Sequence, residues 1–200
     1  GENKAPGSIV IGSARTAAQG EATVWTGLPS RCQVCGRWPA QAICGPCAVR
    51  FAAPALRCPT CALRVPAGSS TCGNCLRHPP SFDATRAVLD YGFPVDKLVQ
   101  ALKYGHRLAS SRLFVDLMTE LPAPQADLVM PMPLHSVRLA SRGFNQAAEL
   151  ARPLARHWGL PVRLDGIVRD VDTRPQASLP WKDRTANVRG AFRVAGRVEG

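Results

Sequence analysis

Residues 31–80 hold nine large apolar side chains and every cysteine of the chain, and that pairing narrows what the segment can fold around. A stretch of this size with so few apolar groups buries too little surface to fold on its own. The eight cysteines fall into four Cys-x-x-Cys pairs: Cys32/Cys35, Cys44/Cys47, Cys58/Cys61 and Cys72/Cys75. Two thiolates separated by two residues bend around one metal ion, and two such pairs complete a tetrahedral all-cysteine zinc shell. Four pairs therefore predict two closed, structural zinc sites, each supplying on the order of 10 kcal/mol of folding free energy. The even division leaves no open coordination position for a catalytic metal.

A disulfide framework and a redox-active pair are the rival readings. Disulfide-dense small domains belong to secreted chains. The first 25 residues lack the basic start, apolar core and cleavage site of a signal peptide. No apolar run approaches the ~20 residues of a membrane span. These features point to a cytoplasmic protein with reduced thiols. A thioredoxin-type motif sits between a strand and a helix and occurs once, not four times in a row. Spacing alone leaves the sharing of metals open. Sequential pairing closes loops across eight and ten intervening residues, whereas interleaved pairing spans 22 and 24. Closure entropy separates the two by only about 1 kcal/mol, in favour of sequential ribbons.

The formal charge of +11 shrinks once the metal sites are counted. Residues 31–80 contribute six arginines and no acid, but two zinc ions on eight thiolates bring four negative charges to that segment. It falls to about +2 and the whole chain to about +7. The basic surplus then lies mainly in residues 138–200, with twelve basic and six acidic side chains. Arginine outnumbers lysine 21 to 4, which favours forked recognition of phosphate wherever the guanidinium groups converge. Solvated faces account for such a surplus equally well.

From residue 81 onward cysteine vanishes and aliphatic residues become frequent, so a domain boundary is placed near His78-Pro79-Pro80. Residues 1–30 are small, polar and aperiodic, and read as a disordered lead. Residues 85–91 read as a strand. Val95, Leu98, Val99 and Leu102 recur at helical spacing up to a glycine cap at Gly105. Leu113, Phe114, Leu117, Met118 and Leu121 mark a second helix, stopped by Pro122. Residues 126–130 read as a short strand entering the Pro131-Met132-Pro133 loop. Residues 144–158 read as a third helix that Pro153 should kink or interrupt. Residues 162–169 and 191–194 read as further strands. Strands separated by helices imply an α/β fold with a parallel sheet and right-handed crossovers.

The strand, loop and helix of residues 127–150 mark a candidate anion site. A helix N-terminus at the carboxyl edge of a parallel sheet favours an anion. Arg138 and Arg142, four residues apart, can add charge-assisted hydrogen bonds, and Asn145 and Gln146 supply amides. Solvated arginines flanking an ordinary helix start are the bland alternative. His135, in the loop, is the histidine best placed to approach a ligand. His157 suits the end of a helix, His78 follows the last cysteine, and His106 reads as a loop residue.

The order of the cysteine pairs, LKYG (102–105), PMPLH (131–135), RGFNQ (142–146) and RTANVRGAF (184–192) resembles the ComF family of bacterial, competence-associated proteins. The resemblance covers residues from about Leu28 to the end. It implies an N-terminal double zinc ribbon, residues 31–80, and a type I phosphoribosyltransferase-like domain, residues 81–200. It also implies a pyrophosphate-binding loop around Met132, Pro133 and Leu134, flanked by Arg138, Arg142, Asn145 and Gln146. Residues 174–187 then correspond to a mobile hood, with Arg174, Gln176, Arg184 and Asn187 at positions the family keeps. A basic hood would exclude water from an oxocarbenium-like ribose centre and neutralise the departing pyrophosphate.

The family continues into a strand ending in a two-acid, Thr/Gly-rich loop that grips the ribose and its 5′-phosphate. No Asp-Asp followed by a Thr/Gly cluster occurs up to Gly200, so the sheet is expected to be incomplete at its C-terminal side and the chain to be a fragment or an early-terminated member. No catalytic residue is assigned, and phosphoribosyl transfer stays open. The expected cofactors are two structural zinc ions, with magnesium accompanying phosphoribosyl pyrophosphate only in a full-length form. The resemblance implies a role in DNA uptake and natural transformation. The partners it brings are phosphoribosyl pyrophosphate, single-stranded DNA, and a competence helicase or another uptake protein. The alternative function is a non-catalytic adaptor that binds single-stranded DNA or docks on the helicase, although four dispersed tryptophans offer few stacking platforms.

Overall fold

In each half of the cysteine segment, one Cys-x-x-Cys pair forms a tight turn and the next opens a helix. Helix α1 (Gly45–Phe51) is capped by Cys44 and α2 (Gly73–Arg77) by Cys72, so Cys47 and Cys75 fall at the third helical position of each. An N-cap and the third helical residue lie on the same side of the first turn, which is why the two sulfurs of each pair converge. The preceding turns close by hydrogen bonds from Gly36 N–H to Cys32 O, at 2.9 Å, and from Ala62 N–H to Cys58 O, at 2.8 Å. Gly36 and Ala62 follow the second cysteine with φ of 73° and 60°. Glycine takes that left-handed conformation freely; Ala62 does so at a cost of about 1–2 kcal/mol.

The computed structural model describes residues 29–105 and 108–196. Of the expected lead, only Pro29 and Ser30 fall within this range, and Ser30 is bridged to Ala40. The rest of that expectation, and His106, lie outside the described residues. Downstream come α3 (Val95–Tyr104), α4 (Ala109–Thr119), α5 (Ser136–Arg142), α6 (Gln146–Trp158), β1 (Ile167–Arg169), a 3-10 turn (Gln176–Ser178), α7 (Trp181–Val188) and β2 (Phe192–Val194).

The apolar stripes of α3 and α4 meet, burying Val95, Leu98, Leu102, Leu113 and Phe114. Helix α4 packs on α6 as well as on α3. Val34, Ala42 and Ile43 of the first cysteine segment pack against the same cluster. The second cysteine segment is attached differently. Asp90 pairs with both Arg57, at 2.8 Å, and Arg64, and Thr85 N–H donates to Pro59 O at 3.3 Å. No helix among the described residues is long and apolar enough to cross a membrane.

Several expectations need correcting. Residues 85–91 form no strand. Alternation there serves instead to turn Leu89 toward the core and Asp90 toward the two arginines. Pro153 does not interrupt α6, which runs through it to Trp158. The helix is anchored at both ends by the Asn145 cap and the left-handed Gly159, and buries Ala151, Leu154 and Ala155, which offsets the one missing backbone bond. The strand expected over residues 126–130 is a single parallel bridge between Val129 and Val162. Residues 162–169 are a strand only at Ile167–Arg169, which pairs antiparallel with β2, Val168 opposite Arg193. The fold among the described residues is thus mixed and mainly helical with a two-stranded sheet; the extended parallel sheet is not part of it. Prolines at 122, 124, 131, 133 and 161 interrupt the segments that would have supplied its ladders.

Candidate functional site

The structure gathers the eight sulfurs into two clusters: Cys32, Cys35, Cys44 and Cys47, and Cys58, Cys61, Cys72 and Cys75. Within each, the four ligand atoms lie within 4.8 Å of one another. A tetrahedron of thiolates at about 2.3 Å from zinc has edges of about 3.8 Å. The Cys35–Cys44 and Cys61–Cys72 sulfurs are 3.6 Å apart, close to that edge and far from the ~2.05 Å of a disulfide. Each cluster could therefore hold a metal ion, and the pairs that meet are sequential rather than interleaved.

Backbone donors shape the thiols. Cys44 N–H donates to Cys32 Sγ at 3.4 Å, and Cys75 N–H to Cys72 Sγ at 3.5 Å. Burial pushes the Cys32 thiol up, but the N–H groups of Cys35, Cys44 and Val34 together outweigh it and bring its pKa to about 6. Backbone donors at Cys72 and Cys61 likewise lower Cys58 to about 6. Burial and the neighbouring thiols push Cys47 and Cys75 up to about 12. Each cluster thus mixes thiols that ionise readily with thiols whose proton a bound cation would have to displace.

A second candidate site is a cavity of about 620 Å³ bounded by the end of α3, the 132–134 loop, α5, the start of α6, β1 and the 175–177 turn. Arg138, on α5, is held by Asp172, Nε to Oδ1 at 2.9 Å, and donates to Thr173 O. Arg142, at the end of α5, donates to Gln146 Oε1 at 3.1 Å and lies over the Tyr104 ring, 4.9 Å from its centre. Arg169 donates to Thr173 Oγ1 and stacks over Phe192 at 5.3 Å. Lys103 adds a fourth cation to the lining, which contains no carboxylate. Burial, followed by repulsion from Arg138 and Arg142, lowers the Arg169 pKa, and Asp172 only partly opposes this. Positive charge concentrated in this way is suited to an anion.

Two loops are fixed around the cavity. Asn145 caps α6, its Oδ1 accepting from Ala147 N–H at 3.0 Å, while its Nδ2 donates to Met132 O at 3.0 Å. It ties the loop to the helix and faces a neighbouring cavity of about 460 Å³. Loss of the cap in Asn145→Ala is expected to cost about 1 kcal/mol or slightly more. Asn145→Asp keeps the cap and should recover most of that loss in thermal unfolding, because only the bond to the loop is gone. The second brace lies in the 174–187 segment. Gln176 Nε2 donates to Arg184 O at 3.0 Å, and Asn187 Nδ2 donates to Arg174 O at 2.9 Å and Gln176 Oε1 at 3.4 Å.

No family model matches the chain, and no solved structure matches it. The DNA utilization protein YhgH of Salmonella typhi is 35% identical over an alignment of 181 residues that covers 84% of this chain and 73% of that protein. Competence protein F of Haemophilus influenzae is 32% identical over 131 residues, 60% of this chain and 56% of its own. The chain belongs to the ComF family. The YhgH protein of Escherichia coli K12 is 29% identical over 187 residues, covering 86% of this chain and 81% of its own.

In this ComF chain three of the motifs read from the sequence meet at one cavity. LKYG supplies Lys103 and Tyr104, PMPLH supplies Met132, Pro133 and Leu134, and RGFNQ supplies Arg142 and Gln146. Arg138 and Gln176 also line it, whereas Asn145, Arg174 and Arg184 do not. Arg184 instead donates to Leu179 O at 3.3 Å and lies over Trp181 at 5.4 Å. His135 caps α5, its Nδ1 accepting from Val137 N–H at 3.4 Å, and is thereby a structural residue of the loop. Sequence reasoning missed Lys103, Tyr104 and Arg169. The first two were legible in principle, because Lys-Tyr ahead of a helix-ending glycine projects polar groups past the buried face. Arg169 carried no signal, since only the β1–β2 register places it there.

Proposed function

We propose that this ComF protein acts in the uptake or use of DNA and that its basic cavity binds the pyrophosphate end of phosphoribosyl pyrophosphate. The names borne by its relatives support the first part. The second rests on one observation: Lys103, Arg138, Arg142 and Arg169 surround a single cavity whose lining holds no acid. Its volume falls in the ~300–1,000 Å³ range of small-molecule sites. A phosphoribosyltransferase-like ancestry accounts for a proline-rich loop, a basic helix and an overhanging hood around one anion site. Both cysteine clusters are read as structural zinc sites, on the tetrahedral spacing of their sulfurs. Zinc there would fix the ribbon turns and the starts of α1 and α2 and supply no reacting group. The cavity lining holds no carboxylate for magnesium, and no step is assigned to it.

Titration calorimetry with phosphoribosyl pyrophosphate, ribose 5-phosphate and a single-stranded oligonucleotide tests the reading. Phosphoribosyl pyrophosphate is expected to bind at least about tenfold more tightly than ribose 5-phosphate, which lacks the diphosphate. Arg142→Gln should remove most of that difference. Equal affinity for the two sugars would overturn the proposal. Binding of the oligonucleotide alone, with a steep loss of affinity in salt, would support the adaptor reading in its place.

A further inference from the structure

Two of the cavity's cations are already held, and by the same two residues. Asp172 accepts from Arg138, Nε to Oδ1 at 2.9 Å, and the Thr173 carbonyl accepts from Nη2 of that guanidinium. The Thr173 hydroxyl accepts from Arg169. Asp172 and Thr173 stand outside the cavity lining, whereas Pro175, Gln176 and Ala177, just beyond them in the chain, are part of it. Thr173 is buried, and the Arg138 side chain is 21% exposed, so the two residues are seated against the arginines rather than lying loose in solvent. One carboxylate does not cancel the positive charge gathered there, since burial and then repulsion from Arg138 still lower the Arg169 pKa. The donors of Arg138 that serve Asp172 and Thr173 are not free to serve a phosphate at the same time.

Resting on the reading that the cavity takes a phosphate-bearing ligand, we infer that Asp172 and Thr173 are a built-in counter-anion for Arg138, which a bound phosphate displaces, releasing the stem of the 174–187 segment. Asp172 therefore lowers the affinity of the cavity for anions. The coupling is reciprocal: the factor by which the pair weakens anion binding is the factor by which an anion weakens the pair. A carboxylate that only oriented Arg138 toward the ligand would have the opposite sign and strengthen binding.

Titration of the full chain with inorganic pyrophosphate reads that sign. Asp172→Asn should bind it about three- to fivefold more tightly than wild type, near the upper limit for a partly exposed ion pair. Arg138→Gln should bind it more weakly, and adding Asp172→Asn to that variant should bring no gain, because the arginine to be released is gone. Asp183→Asn removes the same charge from the same segment, at a residue that pairs with no cavity cation among the described residues, and should stay within about twofold of wild type. Without ligand, amide hydrogen exchange over residues 170–175 should be several-fold faster in Asp172→Asn than in wild type. Equal or weaker binding in Asp172→Asn would overturn the latch and leave the cavity reading standing. So would an equal gain in Asp183→Asn, a gain that persists without Arg138, or unchanged exchange. If neither wild type nor Asp172→Asn binds pyrophosphate, both readings fall together.

Discussion

Cys44→Ser is expected to remove one metal ion and unsettle the helical core, whereas Cys58→Ser removes one metal ion and leaves that core folded. The difference lies in what each cluster touches. Cys44 caps α1 and is buried beside Ile43. Ile43 and Val34 pack both on the first cysteine cluster and on the core built from Val95, Leu98, Leu102, Leu113 and Phe114. Among the described residues, none of the second cysteine cluster joins that core; the ties seen there are the Asp90 pairs with Arg57 and Arg64 and one backbone bond at Thr85. Exposed ion pairs of this kind contribute about 0–1 kcal/mol each. A structural metal contributes on the order of 10 kcal/mol to the piece it organises. Loss of the second metal should therefore stay local, and loss of the first should propagate. Metal content per chain by mass spectrometry, paired with hydrogen exchange of α3 and α4, separates the two. Equal protection of those helices in both variants would refute the coupling, and freshly prepared protein without zinc would refute the metal assignment.

Leu113→Ala is expected to destabilise the chain by about 2–5 kcal/mol in urea denaturation. Leu113 is 1% exposed, sits on α4 and faces the α3 stripe, so truncation leaves a cavity at the point where the two helices and the first cysteine segment converge. Few side chains among the described residues are so completely enclosed. The same change at Val137 on α5, which is 59% exposed, should cost well under about 1 kcal/mol. A small loss at Leu113 would show that the helices are not packed as described.

What could be read from the sequence followed from how strongly each residue type constrains its surroundings. Cysteine pairs were legible because thiolates two residues apart have few alternatives to a metal. Helices α3, α4 and α6 were legible because their apolar residues recur at 3.6-residue spacing and their ends carry Gly105, Pro122 and Gly159. Helix α5 was hidden: SVRLASR is short, buries no residue and has no apolar stripe to betray it. That omission mattered, since α5 carries both Arg138 and Arg142, and moved the helix opening from residue 136 to beyond Gly143. The strand expected at residues 85–91 failed for the opposite reason. Its pattern is suitable, but a strand needs a partner edge, and pairing is not written in a single segment. The sheet was likewise unreadable, because the Val129–Val162 bridge and the β1–β2 register join residues far apart in the chain.

The pairing of β1 with β2 also limits how the segment over the cavity can move. Residues 170–191 leave the sheet at Arg169 and return to it directly opposite, at Phe192. Arg193 and Asp170 clasp the two ends of the segment, at 2.9 Å and 3.1 Å. Anchored at both feet, this span is not an arm that can sweep outward. A swing about the line joining its two feet, like the handle of a bucket, would first have to release Arg138 of α5 from Asp172 and Thr173. Because Gln176, Arg184 and Asn187 are bonded to one another across its interior, it would travel as one piece, carrying Gln176 toward or away from Arg142 without unravelling.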